Sequence, residues 1–401
     1  MPSKVMWPKT EAQERLIEVA RGIAVVAAEH AQRHDLEGSF PVEAFEAMRT
    51  SGYLASPIPM AEGGGGHGLS DLVLAQLTLA KGDGSTALSA GMHLMTVGNE
   101  GTAHNWPDAA RARVFAEVVR DGALVNAINS EPAMGSPRGG GRPATSITPD
   151  GPGRWRLNGR KDFATLAPVL AYATSLVAVE DGSGDVATIL VRLKQPGVSV
   201  EETWDVIGMR STGSHDILYD NIPLTDDDIM RRWNPATLGN APRADGNEGW
   251  FGMLVGAANL GVAEAARDFT VHFAQTRQPT GYPAPIGKIP HVREQIARME
   301  AALLAARIVL LTTAEHLELP REERSAAGPL MQVAKRLATE TAIEVTDLAM
   351  RVVGGAGLER AHPLERYFRD VRTGLVNPPI EARALEQIAV TVLDRDPFPR
   401  R

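Results

Sequence analysis

Arg351-Val-Val-Gly-Gly-Ala-Gly357 and His362-Pro-Leu-Glu-Arg-Tyr-Phe-Arg-Asp370 are the two neighbouring segments that decide the fold of this chain. The first is a glycine-rich loop, and the second is a charged stretch with the composition of a short helix. A little further on, the chain reads Asn377-Pro378-Pro379-Ile380-Glu381. The chain thus runs in order through a glycine-rich loop, a charged helical stretch and a proline-rich turn.

Three further patches precede this region at wide spacing. They are Ser130-Glu-Pro-Ala-Met-Gly-Ser136, Leu157-Asn-Gly-Arg-Lys-Asp-Phe163-Ala-Thr165 and Arg277-Gln-Pro-Thr-Gly281. Together with the C-terminal loop and helix, they resemble the motifs of the acyl-CoA dehydrogenase superfamily, in its order and at about its spacing. Four patches across roughly the whole chain are more specific than any one alone, although a shared fold does not decide the chemistry.

Apolar spacing changes twice along the chain. Helical spacing covers about residues 11–119, and the alternation typical of strands covers about residues 124–228. Long helical patterns then return at Trp250–Thr276, His291–Leu317 and Ser325–Val353. This order predicts an α+β protein. Its expected parts are an N-terminal helical domain (1–122), a middle β-domain (123–232) and a C-terminal helical bundle (233–401). The resemblance implies the same acyl-CoA dehydrogenase-like architecture.

Within the middle region, Asn158-Gly159 is the strongest turn signal. An Asn-Gly pair between two alternating segments is typical of a type I′ hairpin. We therefore expect Trp155-Arg-Leu157 and Lys161–Thr165 to be the two paired strands of a hairpin. Ala187–Leu193 and Asp216–Asp220 alternate in the same way and predict two further strands.

The composition limits the classes of function. The chain has 401 residues, of which 43% are hydrophobic, so it can bury a large core. The lack of cysteine excludes disulfides, thiolate catalysis and cysteine-based metal sites. A net charge of −8 argues against nucleic-acid binding, which needs a basic surface. Because no long apolar stretch and no signal-peptide pattern occurs, we expect a cytoplasmic protein without a membrane partner.

Two patterns have simpler explanations than the chemistry they suggest. The glycine run Gly63–Gly68 matches a dinucleotide-binding fingerprint, but Ser56-Pro-Ile-Pro-Met60 has two prolines where that motif needs a buried strand. We therefore expect a flexible surface loop there. His30, His34 and His67 lack metal-ligand spacing, so we expect surface or helix-cap roles and no metal site.

The resemblance implies a flavin cofactor, FAD, with a flat and largely apolar ring. On that basis, Ser130 and Ser136 lie on the loop at the flavin edge, and Ser136 also faces the substrate. Phe163 takes the place of an aromatic residue that packs near the ring, and Thr165 matches a hydroxyl that bonds near flavin N5. Ordinary roles also explain these residues, since serines favour turns and phenylalanines favour cores.

Four C-terminal residues complete the implied cofactor site. Arg277 would neutralise the pyrophosphate, because guanidinium is always charged and matches phosphate bidentately. Arg351 stands where the superfamily has a glutamine that contacts the cofactor of the partner subunit. Gly354 and Gly355 would allow close approach of the backbone to the cofactor. The helix dipole alone also explains an arginine at the end of a helix, as at position 277.

An acyl-CoA dehydrogenase removes an α-proton with a carboxylate while a β-hydride passes to flavin N5. The resemblance puts that carboxylate at Pro378, or in an alternative position at about Phe251, and neither residue accepts a proton. Glu381 is the nearest carboxylate. Pro379 would begin a helix with Glu381 in its first turn, where acidic residues commonly offset the helix dipole. Glu381 is therefore the candidate base for α,β-dehydrogenation of an acyl thioester, the first of the reactions considered.

The segment Ile207-Gly-Met-Arg-Ser-Thr-Gly-Ser-His215 leaves a second reaction open. It is similar to the corresponding region of flavin monooxygenases with this fold, which use reduced FMN or FADH2 and oxygen and need no α-proton base. His215 would then bind substrate, although a structural role on an alternating strand explains it equally well. The third alternative is a flavin- or ligand-binding homologue without catalysis. Such a protein would purify without flavin or hold a flavin that no thioester reduces.

The apolar content of the last third of the chain predicts assembly. The apolar face of one predicted helix is broader than a single neighbouring helix can bury. It comprises Leu303, Leu304, Ala306 and the run 308–311. We therefore expect a homodimer or homotetramer in which Arg277 and Gly354-Gly355 complete cofactor sites across an interface. Further expected partners are an acyl-CoA or another small-molecule substrate and either an electron-transfer flavoprotein or a flavin reductase.

Overall fold

The computed structural model describes residues 7–134, 141–238, 249–324 and 327–393. These ranges form an N-terminal group of helices, a middle β-sheet and a C-terminal group of helices, so the predicted α+β architecture is confirmed. No helix within them is both long and apolar enough to cross a lipid bilayer. One large core of buried apolar side chains runs through all three parts.

Five helices precede the sheet in the described chain. They are α1 (Glu11–Glu37), α2 (Val42–Thr50), α3 (Leu69–Ala80), α4 (Gly84–Ala103) and α5 (Asp108–Asp121). α1 begins where the Thr10 hydroxyl accepts a hydrogen bond from the amide of Gln13 at 3.2 Å. It ends at Gly38, whose φ of 68° is the left-handed conformation in which glycine commonly terminates helices.

The glycine run Gly63–Gly68 joins the end of a short 3-10 helix to α3, and no strand precedes it from residue 7 onward. The expected flexible surface loop is wrong in one respect, because the run is tightly packed. A methyl group on Gly64 would lie 2.3 Å from the Ile58 carbonyl oxygen. The amide of Gly65 donates to the Ala55 carbonyl at 3.1 Å. Glycine is therefore required here by close backbone approach.

Two of the three histidines considered for a metal site, His34 and His67, have carboxylate partners. His34 Nε2 lies 2.8 Å from Glu43 Oε2, and His67 Nδ1 lies 3.0 Å from Asp71 Oδ2. In the described ranges, no group of three or more acidic or histidine side chains is arranged to hold a metal ion.

The middle sheet has eight strands in the described residues. They are β1 (Leu124–Ala127), β2 (Ser146–Pro149), β3 (Arg154–Lys161), β4 (Leu170–Val179), β5 (Val186–Arg192), β6 (Val198–Glu201), β7 (Asp216–Thr225) and β8 (Ile229–Trp233). Their order is β6-β7-β3-β2-β4-β5-β8, and β1 pairs with β4. β4 is parallel to β1 and β2, whereas the other pairs are antiparallel. The strands predicted from the alternation at 187–193 and 216–220 correspond to β5 and the first half of β7.

The predicted hairpin at Asn158-Gly159 is wrong. Both residues lie inside β3, which continues to Lys161 and pairs along its length with β7. The register shifts between Leu157 and Gly159, as at a β-bulge. A methyl group on Gly159 would lie 2.6 Å from Thr145 Cα, so this glycine permits a close approach of backbone rather than a turn.

The C-terminal part contains α6 (Pro235–Leu238), α7 (Trp250–Thr276), α8 (Pro290–Leu317), α9 (Ala327–Val353), α10 (Leu364–Asp370) and α11 (Glu381–Leu393). The three predicted long helices are confirmed as α7, α8 and α9. α7 is buried on nearly all sides from Met253 to Ala266, as a central helix should be. A methyl group on Gly261 would lie 2.5 Å from the Leu77 carbonyl oxygen, which shows how closely α3 packs against α7.

Candidate functional site

The chain turns sharply after β3, at residues 162–166. Phe163 and Leu166 have φ angles of 51° and 75°, which are uncommon for residues other than glycine. The turn is held by the segment that enters β7. The amide of Ala164 donates to the His215 carbonyl and that of Leu166 donates to the Thr212 carbonyl, each at 3.1 Å. Strained conformations that the surroundings enforce cluster at functional sites, so this turn is the first candidate.

Two aromatic rings stand at this turn. Phe163, which follows the end of β3, is 63% exposed. Its ring meets that of Trp204 edge to face, with 5.8 Å between the ring centres. The indole Nε1 of Trp204 donates to the Met209 carbonyl at 3.0 Å, which fixes the ring that supports Phe163. The pair presents a supported aromatic surface to the outside of the fold.

Three hydroxyl groups form a chain behind this surface. Thr165 Oγ1 lies 2.8 Å from Ser214 Oγ, and Ser214 Oγ lies 2.7 Å from Thr212 Oγ1. Thr212 Oγ1 also lies 3.1 Å from the Met209 carbonyl oxygen. Ser214 and Thr212 are buried, whereas Thr165 is half-buried at the open end.

His215 is half-buried beside the same turn. Its Nδ1 accepts a hydrogen bond from the amide of Trp204 at 3.1 Å. Because Nδ1 is an acceptor, the proton of the neutral ring must reside on Nε2. Burial lowers the pKa of His215, although the carboxylates of Glu202 and Asp216 oppose this effect. His215 is therefore a neutral Nε2–H donor at neutral pH.

The loop before the turn is anchored by a buried ion pair. Lys161 Nζ lies 2.6 Å from Glu131 Oε1, and both side chains are almost completely buried. Glu131 also accepts hydrogen bonds from the amides of Ala144 and Thr145. Burial alone would raise the pKa of Glu131, but Lys161 outweighs it and holds that pKa below its ordinary value. Glu131 thus holds the backbone at Ala144 and Thr145 close to the segment that follows β1.

Ser130 lies next to this anchor. Its carbonyl accepts the amide of Asp162 at 3.1 Å, and its hydroxyl hydrogen-bonds the Asp162 carboxylate. Ser130 is thereby brought to the Phe163–Thr165 turn. Ser136, the other serine predicted on this loop, lies outside the described residues.

Two buried acceptor atoms at the turn have no hydrogen-bond donor among the described residues. They are Asn126 Oδ1 and Asp162 Oδ1. The amide nitrogen of Asn126 donates to the Thr165 carbonyl at 3.0 Å, so its oxygen is close to the turn. Buried acceptors without partners are costly, so a group with N–H or O–H donors would be stabilised here.

The four C-terminal residues predicted to contact the cofactor lie in or directly after α7 and α9. Arg277 follows the end of α7, and Arg351 lies in the last turn of α9. Both are exposed, and neither guanidinium has an ion pair or hydrogen bond within the described part of the chain. A methyl group on Gly354 or Gly355 would meet no atom within 4 Å, so the backbone is open there.

Within one chain, the structure does not join these two groups. No hydrogen bond, ion pair or ring contact in the described ranges links Arg277, Arg351, Gly354 or Gly355 to the Phe163–His215 cluster. Arg351 instead lines a surface groove of about 410 Å³ on α9, together with Glu340, Glu344 and Asp347.

The turn that carries Pro378 is tied to α9 by a buried lysine. Lys335 Nζ donates to the carbonyl oxygens of Gly374 and Asn377, each at 2.8 Å. Burial lowers the pKa of Lys335 to about 8. A methyl group on Gly252 would lie 3.7 Å from Lys335 Cβ, so this lysine also packs against α7, at the residue that follows Phe251. At neutral pH its ammonium group is a donor and accepts no proton.

Glu381 is the first residue of α11, as predicted, and its side chain is 56% exposed. Its Oε1 accepts from Arg336 Nη2 at 3.1 Å and from Arg336 Nε at 3.2 Å. The hydrogen bonds from Arg336 lower the pKa of Glu381. A carboxylate stabilised in its charged form is a weaker proton acceptor.

Family models of acyl-CoA dehydrogenases match this chain in three consecutive pieces. The N-terminal domain model matches residues 10–120, the middle domain model 127–222 and the C-terminal domain model 250–376. The chain belongs to the acyl-CoA dehydrogenase family. The resemblance inferred from its motifs is thereby confirmed, and family membership makes the protein an enzyme of the oxidoreductase class.

Relatives within this family have different reactions in their names. The putative acyl-CoA dehydrogenase YdbM of Bacillus subtilis is 37% identical over 97% of this chain and 99% of its own length. The amino sugar nitrososynthase DnmZ of Streptomyces peucetius is 31% identical over 92% of this chain and 90% of its own. A structure of KijD3 in complex with FMN and a dTDP-linked amino sugar is 26% identical. It has a TM-score of 0.79 and covers 98% of this chain and 96% of that chain.

Proposed function

We propose that this acyl-CoA dehydrogenase family member is a flavin-dependent monooxygenase, which binds reduced flavin at the Phe163–Thr165 turn and oxygenates a small organic substrate. The observation that carries the proposal lies at the turn before α11. By the family resemblance, dehydrogenation needs a carboxylate at Pro378 or at about Phe251, and neither residue is ionisable. The turn at Pro378 is instead bound by the ammonium group of Lys335, which donates to the Asn377 carbonyl. A monooxygenase needs no α-proton base.

Flavin fits the groups at the turn. The exposed Phe163 ring offers a surface for a flat apolar ring system, and Thr165 offers a hydroxyl at its edge. Asn126 Oδ1 and Asp162 Oδ1 lack donors among the described residues, and a flavin ring carries N–H donors along its polar edge. Bound flavin supplies two-electron redox chemistry and, in its reduced form, reacts with oxygen.

The residues of the chain bind and orient the reactants. Ser130 and Ser136 would contact the flavin edge, and Ser136 would also face the substrate. His215 would donate its Nε2–H to a substrate acceptor, because its Nδ1 is engaged by Trp204 and its ring is neutral. The packed Phe163–Trp204 pair would exclude water from one side of the site.

The phosphate end of the cofactor would be bound by a second subunit. Arg277 and Arg351 are exposed guanidinium groups without partners in the described chain, and Gly354 and Gly355 are open to close approach. We propose that this group completes the cofactor site of a neighbouring copy in a homodimer or homotetramer. Guanidinium groups suit both the pyrophosphate of FAD and the single phosphate of FMN.

Two relatives support oxygenation. A nitrososynthase, as DnmZ is named, forms a nitroso group and therefore an N–O bond, and its sequence is 31% identical to this one. The KijD3 complex holds FMN in the same fold. A flavin reductase would then be the redox partner of this chain, and a cytoplasmic location would suit it.

Oxygen incorporation tests the proposal. The purified protein is supplied with a flavin reductase, NADH, FMN or FAD, and ¹⁸O₂, together with a panel of primary amines, amino sugars and aromatic heterocycles. We expect mass spectrometry to show protein-dependent incorporation of ¹⁸O into at least one compound, and none with reduced flavin alone. Failure to label any compound, combined with reduction of the flavin by an acyl-CoA, would overturn the proposal.

Dehydrogenation of an acyl thioester is the second candidate, because YdbM, at 37% identity over nearly the whole chain, is named as a putative acyl-CoA dehydrogenase. In that reaction Glu381 would be the base, FAD would accept the hydride and an electron-transfer flavoprotein would reoxidise it. Glu381 would first have to leave Arg336, which holds its charge at the surface. That requirement ranks dehydrogenation below oxygenation.

A further inference from the structure

In the hydroxyl chain behind the turn, the number of available protons determines which hydroxyl donates each hydrogen bond and which accepts it. A hydroxyl group has one proton to donate, whereas a carbonyl oxygen can only accept. The chain runs from Thr165 through Ser214 to Thr212 and ends at the Met209 carbonyl. Thr212 and Ser214 are 0% and 4% exposed, so bulk water does not supply alternative partners.

When Thr212 donates to the Met209 carbonyl, the donor in each of the other two hydrogen bonds of the chain is determined. Ser214 must donate to Thr212, and Thr165 must donate to Ser214. Thr165 is then left with lone pairs alone at the open end of the chain. All three hydroxyl protons are used in this arrangement, and the site presents an acceptor.

The opposite direction makes fewer hydrogen bonds. Thr212 would donate to Ser214, and Ser214 to Thr165, whose own proton would point out of the chain. The bond from Thr212 to the Met209 carbonyl is then lost, although that carbonyl still accepts from the Trp204 indole at 3.0 Å. The buried groups therefore favour the first direction by one hydrogen bond.

We infer that Thr212 and Ser214 make the site select reduced flavin, by fixing Thr165 as a hydrogen-bond acceptor. This rests on the proposed function, with the Thr165 hydroxyl meeting the flavin near N5 as the family resemblance implies. Oxidised flavin has a bare, accepting nitrogen at N5, and reduced flavin has an N–H donor there. The acceptor at Thr165 complements the reduced form and opposes the lone pair of the oxidised form. Thr212 and Ser214 are thus positioning residues, since they act on the cofactor through Thr165.

Anaerobic calorimetric titrations test this inference without turnover. The dissociation constants of oxidised FMN and of dithionite-reduced FMN are measured for the wild type and for Thr212→Val, which keeps the side-chain shape but removes the anchoring proton. We expect the ratio of the oxidised to the reduced constant to fall by about 5-fold or more in Thr212→Val, as the loss of one net hydrogen bond predicts. Thr212→Ser keeps a hydroxyl and should restore the wild-type ratio.

Thr270→Val is the matched control. Thr270 is also fully buried and donates its hydroxyl to a helix carbonyl, that of Ala266 at 2.7 Å, in α7. This variant should keep the wild-type ratio. Ser214→Ala interrupts the chain at its centre, should lower the ratio in the same direction, and serves if Thr212→Val does not fold.

Two results would overturn the role of the hydroxyl chain. One is an unchanged or increased ratio in both Thr212→Val and Ser214→Ala, and the other is a wild-type protein that binds neither form of FMN. A ratio that responds as expected in a protein that labels no substrate with ¹⁸O would instead overturn oxygenation and leave the selection of reduced flavin standing.

Discussion

Glu381, the carboxylate nearest to Pro378 in sequence, makes a surface ion pair. Arg336 contacts it through two nitrogens, and the resulting hydrogen bonds lower its pKa. A general base works best when its pKa lies near the working pH. The ion pair with Arg336 moves the pKa of Glu381 in the opposite direction, away from neutral pH. Glu381 is therefore better suited to stabilising the start of α11 than to abstracting a proton.

Replacing Glu381 by glutamine tests this assignment. Under the proposed function, Glu381→Gln changes oxygenation turnover by no more than a few-fold, since it removes only a surface charge at a helix start. If Glu381 were the base, anaerobic reduction of the flavin by an acyl-CoA would occur in the wild type and fall by roughly 10²–10⁴-fold in the variant. Glu386→Gln is the matched control, because Glu386 pairs with Arg383 on the same exposed helix.

Sequence motifs lead to Ser130, Phe163, Thr165 and His215, and the structure brings these residues to one turn. They do not lead to Trp204, which has no recognisable motif around it. The role of Trp204 depends on the meeting of β3 and β7, which joins residues far apart in sequence. The buried position of Lys335 is not predictable from sequence for another reason. A lysine in an amphipathic helix is ordinarily exposed. Here the 374–377 turn, which is distant in sequence, provides the carbonyl oxygens that accept from its buried ammonium group.

At the scale of elements, β3 is a case in which pairing with another strand overrides a local turn signal. Asn158-Gly159 has the residues of a hairpin turn, but β7 pairs with β3 on both sides of it and keeps the strand extended. The glycine is required instead by the nearby backbone of Thr145. The long helices, by contrast, are predictable because their apolar periodicity extends over many turns and is not contradicted by neighbours.

His93 joins three elements and makes their junction sensitive to pH. Its Nε2 donates to the Leu54 carbonyl at 3.0 Å, and its Nδ1 accepts from the Val125 amide at 3.1 Å. Burial lowers the pKa of His93 to about 4. Below pH 6.5, the unfolded chain protonates this histidine while the native state keeps it neutral. The free energy of unfolding therefore falls as the pH decreases from 6.5 to about 4.

We expect this histidine to contribute roughly 2 kcal/mol to the loss of stability between pH 7 and pH 5, at about 1.36 kcal/mol per pH unit below 6.5. Urea denaturation at both pH values measures it. His93→Gln, although less stable at pH 7, should show a smaller decrease by about that amount, whereas the exposed His291→Gln should retain the wild-type decrease. An equal decrease in wild type and His93→Gln would contradict the assignment.

At the scale of the whole molecule, apolar side chains remain exposed on the C-terminal helices. Leu304 of α8 is 44% exposed, and in α11 Leu385 and Val390 are 45% and 50% exposed. α11 buries only Ala384 among its own residues. Both α8 and α11 pack against α9, and exposed apolar residues on such helices are typical of a surface that another protein covers. The same part of the chain contains Arg277 and Arg351, which have no partner among the described residues, and this supports a second copy as the covering partner.

Leu304→Asp should therefore dissociate the assembly. Light scattering at micromolar concentration is expected to give an oligomeric mass for the wild type and a smaller mass for the variant, with a parallel loss of retained flavin. Arg298→Gln lowers the net charge by the same amount on an exposed face of the same helix and should leave both properties unchanged. A monomeric wild type with fully bound flavin would rule out a cofactor site shared between subunits.

Anaerobic mixing of the flavin-loaded protein with acyl-CoAs of short to long chain tests most directly whether the enzyme abstracts an α-proton from a thioester. The visible absorption of the bound flavin reports its reduction, and dithionite provides the control for full bleaching. Oxygenation predicts that the flavin stays oxidised with every thioester while dithionite bleaches it. Bleaching by any acyl-CoA, lost in Glu381→Gln, would contradict the account and establish α,β-dehydrogenation.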